Sequence, residues 1–308
     1  MVNDNNTQDR IFQAVTAICA GAVVLLVIGI FAELVTGSIP SIREFGFGFL
    51  SSQKWNPVTQ QFGALSSIYG TLLSTGIAMI IAVPVSLVIA LFLVELAHPK
   101  VSRLVGGAIE LLAAIPSIIY GMWGLFVFAP FMSGTVQPFI SKWAGDFPLF
   151  AGPPMGIGML TAGIILALMI LPFVTSVTRD VFAMVPGVVK ESAYGLGATT
   201  WEVTRQVTVR HGLMGIVGAC FLGLGRAIGE TMAVTFVIGN THRISPSLFA
   251  AGNSIASTLA NEFTEASEEL YLSSLVELGL VLFVITFLIQ LMAQVWLERT
   301  RRKMGLAR

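Results

Sequence analysis

Six long runs of apolar residues are the feature that most constrains the fold of this chain. A helix that crosses the hydrocarbon core of a bilayer needs roughly 20 mostly apolar residues. Windows of that kind occupy residues 11–35, 68–96, 104–131, 155–178, 212–239 and 271–297. Only 11% of the 308 residues are charged, whereas about one quarter of the residues of an ordinary soluble domain are charged. The sequence therefore predicts an all-α, polytopic membrane protein with six transmembrane helices.

The distribution of Lys and Arg predicts how these helices are oriented. With the N-terminus in the cytoplasm, twelve of the 17 Lys and Arg residues fall in cytoplasmic segments and four in outer segments. Positive residues accumulate on the cytoplasmic side of membrane proteins, so both termini are predicted to be cytoplasmic. The basic inner face favours contact with acidic membrane lipid over nucleic acid. No linker divides the chain, and residues 1–308 are predicted to form one transmembrane domain.

A polar stretch at residues 190–202 interrupts the apolar pattern, with the sequence Lys-Glu-Ser-Ala-Tyr-Gly-Leu-Gly-Ala-Thr-Thr-Trp-Glu. Apolar residues before it recur at near-helical spacing, and Gly195 and Gly197 permit the positive φ that turns a helix. The pattern predicts two short helices around a Gly-x-Gly turn, within the cytoplasmic segment 179–210. We interpret this elbow as a surface that couples the membrane helices to a soluble partner.

The fifth window contains the seventeenth basic residue, Arg226, and four residues later Glu230. Arg226 is about 20 Å from either end of the window at 1.5 Å per residue, too deep for its charge to reach an interface. On a continuous helix Glu230 lies one turn further along the same face, within reach of Arg226. An ionisable residue at this depth is costly and is a functional-site candidate. The alternative is a buried ion pair that only joins helices.

The residue types favour an oxyanion as the substrate of this site. Arg is a permanently charged planar fork that binds a tetrahedral anion through two parallel hydrogen bonds. A carboxylate such as Glu230 can accept a hydrogen bond from protonated phosphate, and sulfate has no proton to offer. Thr231 is a further candidate on the substrate pathway, although a bond to its own helix at the i−4 carbonyl is the favoured reading. Gly225 and Gly229 serve either helix packing or close backbone approach.

Four other acids, Glu33, Glu95, Glu110 and Glu277, are expected near the ends of the windows, where solvation is cheap, with Glu110 left open as a second partner of Arg226. Three prolines, Pro84, Pro116 and Pro172, are expected to bend the spans. The chain has no P-loop pattern for ATP, no metal-ligand pattern and no nucleophile constellation. It is therefore predicted to be no enzyme and to hold no cofactor.

The elbow resembles the coupling loop of the permeases of binding-protein-dependent ABC importers. Their pattern is Glu-Ala-Ala, three residues, Gly, nine residues and Ile-x-Leu-Pro. This chain departs from it at Ser192, in place of an alanine, and at Arg210, in place of the proline. The resemblance implies that five elbow residues contact a separate ATPase subunit: Lys190, Glu191, Ser192, Ala193 and Gly197.

A second resemblance is more specific. Residues 223–240, Gly-Leu-Gly-Arg-Ala-Ile-Gly-Glu-Thr-Met-Ala-Val-Thr-Phe-Val-Ile-Gly-Asn, are similar to the permeases of phosphate-specific ABC importers, as are residues 114–117, 252–255 and 259–263. The resemblance covers essentially the whole chain. It implies a type I ABC importer permease fold in a bacterial inner membrane, with inorganic phosphate as substrate. It also implies a heterodimer with a sister permease, two copies of a cytoplasmic ATPase that hold ATP and Mg, and an extracytoplasmic phosphate-binding protein.

Other functions stay open at this stage. Within the ABC class, the alternative substrates are phosphonate and sulfate. An ion-coupled secondary carrier would also use embedded charges, but such carriers commonly show inverted repeats. A scaffold or signalling partner would need the elbow but not Arg226.

Overall fold

The computed structural model describes residues 7–144 and 147–303, which form helices joined by irregular segments. In chain order the helices are α1 (Thr7–Phe45), α2 (Gly48–Ser51), α3 (Leu65–Leu96), α4 (Pro99–Ala113), α5 (Ser117–Ala144), α6 (Met159–Ala183), α7 (Gly187–Gly195), α8 (Thr200–Ile228), α9 (Met232–Ile238), α10 (Ile255–Glu262) and α11 (Glu269–Lys303). Six of them, α1, α3, α5, α6, α8 and α11, are long and apolar enough to cross a membrane. The predicted all-α architecture with six spans is confirmed.

The third span differs from its predicted bounds of 104–131. Residues 99–113 form the separate helix α4, and the spanning helix α5 begins only at Ser117 and continues to Ala144. Pro116, with ψ 136°, separates the two, because proline lacks an N–H and disfavours helical geometry in the residue before it. The two other prolines in the predicted spans, Pro84 and Pro172, lie inside continuous helices.

Helices α3 and α6 form the most extensive helix pair. Every fourth residue of α3 is small and buried, which lets the two backbones approach closely. This stripe consists of Gly70, Ser74, Ala78, Ala82, Ser86 and Ala90. The Ser86 hydroxyl donates a hydrogen bond to the Leu171 carbonyl of α6 at 3.1 Å. The alternation of small residues with large apolar ones therefore decides which face of α3 meets α6.

Helix α6 lies at the centre of the molecule and α1 at its edge. In the most apolar window of α6, 61% of the residues are buried, whereas the corresponding window of α1 has none. The buried side chains of α6, including Ile165 and Ile170, pack on Ala78 of α3 and on Val234 of α9. Helix α1 packs mainly against α11. The exposed apolar surface of α1 is what a helix at the lipid boundary requires.

The segment that follows α9, residues 239–254, folds back against the spans. The Gly158 and Met159 amides, at the start of α6, donate to carbonyls of Val237 and Ala250. Gly70 of α3 touches this segment so closely that a Cβ there would lie 1.7 Å from the Asn253 carbonyl oxygen. Asn253 is fully buried and donates to the Ser67 hydroxyl at 2.7 Å. The end of this segment, residues 252–254, is thus part of the packed interior.

Candidate substrate pathway and coupling surface

The fifth span is broken at the place where the sequence predicts a charged pair. Helix α8 ends at Ile228, and the next helix, α9, begins at Met232. Glu230 lies in the break, where its carboxylate accepts a hydrogen bond from the Ala233 amide at 3.3 Å. This bond satisfies an amide in the first turn of α9 that has no partner within the helix. The expectation that Glu230 continues the helical face of Arg226 is therefore wrong.

Arg226 occupies the last turn of α8, where a cation faces the partial negative charge of the helix C-terminus. Its side chain is exposed, and the guanidinium carbon lies 5.8 Å from the centroid of the Phe173 ring on α6. That distance is within the range of a cation–π contact. Across residues 7–144 and 147–303, no carboxylate oxygen lies within 4.0 Å of the guanidinium. The anticipated Arg226–Glu230 pair is not formed.

Glu110, the other candidate partner of Arg226, pairs with a different arginine, Arg179. Its carboxylate accepts a hydrogen bond from Arg179 at 2.6 Å. Arg179 lies at the end of α6 and Glu110 on α4, so the two join these helices. Because Pro116 moves the third span toward the C-terminus, Glu110 is outside the spanning helix.

The three other candidates of this region have different surroundings. Gly225 faces α11 so closely that a Cβ would lie 2.6 Å from the Gln290 amide nitrogen, so it serves helix packing. Gly229 follows the last residue of α8 and has no close neighbour. The Thr231 hydroxyl donates to the Gly229 carbonyl at 3.3 Å and not to the i−4 carbonyl, because the helix has ended. The break thus brings Glu230 and Thr231 together beyond the end of α8.

The first elbow helix and the glycine turn are as predicted, but the second helix is not short. It is the start of the span α8, which begins at Thr200 and not at the predicted residue 212. Helix α7 ends at Gly195, Gly197 takes φ 87°, and α8 begins at Thr200. Thr199 and Glu202 form a reciprocal capping box that fixes the start of α8. The two helices and the turn between them are therefore defined by local sequence alone.

Large apolar side chains of the elbow face outward. Leu196 is 89% exposed, Val188 72% and Trp201 68%. An exposed apolar cluster of this kind, rimmed by polar residues, marks a protein interaction site. Three of the predicted coupling residues, Glu191, Ser192 and Gly197, are exposed on the same elbow, and Ala193 is half-buried. The elbow thus presents an uncovered surface suited to a partner.

Lys190 differs from the other predicted coupling residues because it points into the chain. Its ammonium group lies 2.7 Å from the carboxylate of Glu95, at the end of α3. The Lys190 side chain is 17% exposed and that of Glu95 only 6%. Glu95 was expected to be solvated, and sequence reasoning missed the contact. The sequence signal that could have predicted the pair was an acid, Glu95, at the inner end of one span, together with a lysine, Lys190, in the elbow.

A second network that was not predicted lies on the side of the molecule opposite the elbow. The Glu262 carboxylate accepts hydrogen bonds from the Tyr271 hydroxyl at 2.8 Å and from the indole of Trp55, and it pairs with His242 at 3.0 Å. The rings of Trp55 and His242 stack at 5.3 Å between centroids. Burial raises the pKa of the Glu262 carboxyl, but these hydrogen bonds outweigh burial and lower it below its ordinary value. The network fastens the segments before α3 and after α9 to the start of α11.

The chain matches the model of a known protein family. Residues 82–303 match the family described as "Binding-protein-dependent transport system inner membrane component". A protein of Mesorhizobium japonicum named "Phosphate transport system permease protein PstC" is 57% identical, with 96% of this chain and 92% of that protein covered. Proteins with the same name from Pasteurella multocida and Haemophilus influenzae are 52% and 51% identical, again over 96% of this chain. The matched regions cover 94% and 95% of those two proteins, respectively.

Solved structures with a similar fold are permeases of ABC importers. A bacterial alginate ABC transporter, in complex with its alginate-bound periplasmic protein, has a TM-score of 0.62 at 17% identity, with 91% of this chain and 92% of that chain covered. The MetNI methionine ABC transporter in an inward-facing conformation has a TM-score of 0.53 at 18% identity, with 80% and 95% covered. At such identities the likeness concerns the fold alone.

The predicted type I ABC importer permease fold is confirmed. The chain belongs to the family of binding-protein-dependent transport system inner membrane components, and it is a multi-pass inner-membrane transport subunit with the fold of an ABC importer permease.

Proposed function

We propose that this chain is the transmembrane permease subunit of an ATP-driven importer that carries inorganic phosphate across the inner membrane. The observation that carries the proposal is the identity of 57% over 96% of the chain with a relative named as a phosphate transport permease. The chain acts as one permease domain over residues 1–308, with both termini in the cytoplasm. Phosphonate and sulfate permeases are the alternatives within the class, and no comparison favours them.

The proposed substrate pathway runs past the break between α8 and α9. Support comes from the Arg226 guanidinium, which is exposed, rests on an aromatic ring and has no carboxylate partner among the described residues. Such a guanidinium is free to form two hydrogen bonds with a passing phosphate. An anion bound too tightly would not leave, so conduction needs a transient contact. Glu230 and Thr231, at the same break, supply an acceptor for the phosphate proton and a hydroxyl donor.

The remaining surfaces fit the partners that such an importer needs. The elbow, with its exposed Leu196 and Trp201, binds an ATPase subunit. That ATPase subunit, and not this chain, holds ATP and Mg. A sister permease covers the face that carries Arg226 and closes the pathway between the two permeases. A phosphate-binding protein delivers the substrate on the outer side. Two ATPase copies drive the elbow, which moves the spans between outward-open and inward-open states.

Uptake by the reconstituted importer tests the proposed function. The chain is purified with its sister permease and ATPase, placed in proteoliposomes with ATP inside, and supplied with the binding protein and radiolabelled phosphate. We expect uptake that requires both ATP and the binding protein and that excess sulfate or phosphonate does not reduce. Uptake driven by an ion gradient without ATP would identify a secondary carrier, and an assembled complex that takes up no phosphate would indicate a scaffold. Either result would overturn the proposal.

Substitution of Glu230 tests the origin of selectivity. Glu230→Gln keeps the size of the side chain but removes the carboxylate that accepts the proton of phosphate. We expect the ratio of phosphate uptake to sulfate uptake to fall, because sulfate no longer meets a repelling charge. Glu33→Gln, an exposed acid on α1, is the matched control and leaves the ratio unchanged. An unaltered ratio in Glu230→Gln would remove Glu230 from the pathway.

A further inference from the structure

Three segments that are distant in the sequence meet at one buried carboxylate oxygen. Glu95 Oε1, at the end of α3, accepts a hydrogen bond from Lys190 Nζ of the elbow helix α7 at 2.7 Å. The same oxygen accepts a second bond from the Thr208 hydroxyl, near the start of α8, also at 2.7 Å. Thr208 is fully buried, and the Glu95 side chain is 6% exposed. We call Glu95, Lys190 and Thr208 the elbow junction.

Glu95 and Thr208, the two junction residues that belong to spans, lie in π-helical turns. Helix α3 ends in a π turn at Phe92–Leu96, and α8 contains another at Thr204–Thr208. A π turn accommodates one extra residue, and such turns are frequently found at functional sites. Helix α5 contains two others, at Gly124–Phe128 and Met132–Val136. Both α3 and α8 therefore depart from regular α-helix at the point of contact.

An apolar core lies beside the junction. Ala90, Phe182 and Ile216 form a small core next to it, and Val94 and Val209, the neighbours in sequence of Glu95 and Thr208, pack on this core. A buried charge pair is strongly destabilised when one partner is lost or displaced, because the remaining charge is left without compensation. The elbow helix therefore cannot shift relative to α3 without a large penalty.

A second ion pair near the same end of the molecule provides a contrast. Arg179 and Glu110 join α6 and α4 at 2.6 Å, but the Glu110 side chain is 55% exposed. Exposed pairs contribute little and yield readily, because water replaces the partner. This pair also leaves out the elbow. Of the two contacts, only the elbow junction has the burial and the connections to carry force from α7 into the spans.

We propose that the elbow junction is the mechanical link of this importer, and that Glu95 is the positioning residue that transmits movement of α7 to α3 and α8. Through Lys190, a displacement of the elbow pulls on Glu95 and thus on α3. Through Thr208, it turns α8, whose far end carries Arg226. The proposal rests on the proposed function, since it assigns the route by which a partner ATPase would open the pathway. Lys190 thereby acts inside the chain and not on the ATPase surface.

The test is the number of ATP molecules hydrolysed per phosphate taken up, measured in the same proteoliposomes with the complete importer. Glu95→Gln removes the charge at nearly constant shape, and Lys190→Met keeps most of the lysine stem without its charge. Both should leave ATP hydrolysis running while uptake falls, so that the ratio rises at least about fivefold, the low end of coupling between sites in proteins. Lys190→Arg, which keeps the cation, should restore a ratio close to that of the wild type.

Controls separate this result from loss of structure and from failure of the proposed function. Glu110→Gln breaks the exposed pair with Arg179 and should leave the ratio unchanged. Thr208→Val keeps the shape of the side chain and the Lys190–Glu95 ion pair, and should raise the ratio of ATP hydrolysed to phosphate taken up less than the charge variants do. If the charge variants do not assemble, Thr208→Val alone decides the test. A wild-type importer without phosphate uptake would refute the proposed function. A normal ratio in the assembled junction variants, or an equal rise in Glu110→Gln, would overturn the mechanical link.

Discussion

Gly70 is the position where one methyl group should most disturb the packing of the outer segment on the spans. An ideal Cβ on Gly70 would lie 1.7 Å from the Asn253 carbonyl oxygen and 2.8 Å from Met159 Cε, whereas ordinary contacts begin at 3.4 Å. The methionine end can move, but the carbonyl belongs to the backbone of the buried residue Asn253. Gly70→Ala must therefore push the backbone at Asn253 away from α3 by about 1.7 Å.

The size of the effect follows from the bonds that this movement breaks. The Asn253 side-chain amide donates to the Ser67 hydroxyl at 2.7 Å and to the Thr258 hydroxyl at 3.1 Å. Two residues later, the Ile255 backbone amide donates to the Thr71 hydroxyl at 2.9 Å. Each of these hydrogen bonds contributes about 0.5–1.5 kcal/mol, and overpacking a core costs about 1–3 kcal/mol. If all three bonds are lost, we expect Gly70→Ala to lower the free energy of unfolding by roughly 2.5–7.5 kcal/mol.

Thermal unfolding in detergent, followed by tryptophan fluorescence, measures this loss. Gly76→Ala is the matched control, because Gly76 lies on the same helix and a Cβ there would meet nothing within 4 Å. The control should unfold at or slightly above the temperature of the wild type, since alanine favours a helix over glycine. If Gly70→Ala unfolds at the same temperature as Gly76→Ala, the outer segment is not held against α3 as described.

Two further predictions concern the outer network and the elbow. The pKa of Glu262 is lowered from its ordinary value of 4.5, so its ionised form stabilises the fold at neutral pH, and this contribution is lost as the pH falls from about 4.5 through the lowered pKa. Glu262→Gln should reduce the melting temperature near pH 7 and flatten its decline below about pH 4.5. Parallel curves for the two proteins would refute this. Leu196→Asp should abolish co-purification of the ATPase without changing the melting temperature of the permease, because the side chain is 89% exposed; retained ATPase would show that the elbow surface is not the docking site.

Local pattern was sufficient for much of the fold. The six spans follow from apolar length, and the elbow follows from Gly197 and the Thr199–Glu202 capping box, all of which act within a few residues. The third span was misplaced because a hydropathy window cannot distinguish α4 from α5 when both are apolar. Pro116 marks the boundary between the two helices. Proline alone does not predict such a boundary, because Pro84 and Pro172 lie inside continuous helices.

The contacts of the candidate site were harder to predict because they depend on tertiary packing. The i, i+4 rule that paired Arg226 with Glu230 holds only on a continuous helix, and Gly229 ends α8 between them. Glu95 and Lys190 are 95 residues apart in the sequence, so no periodicity relates them. The presence of Arg226 among apolar residues was readable from the sequence, whereas its contact with the ring of Phe173 was not.

The most direct test of the account is phosphate uptake by the assembled importer that carries Arg226→Ala. A charge-assisted hydrogen bond contributes about 1.5–3 kcal/mol, so the maximal uptake rate should fall by about tenfold or more, with Arg226→Lys intermediate. Arg10→Ala, an exposed arginine near the start of α1, should transport normally. Wild-type uptake by a correctly assembled Arg226→Ala importer would contradict the claim that phosphate passes this guanidinium.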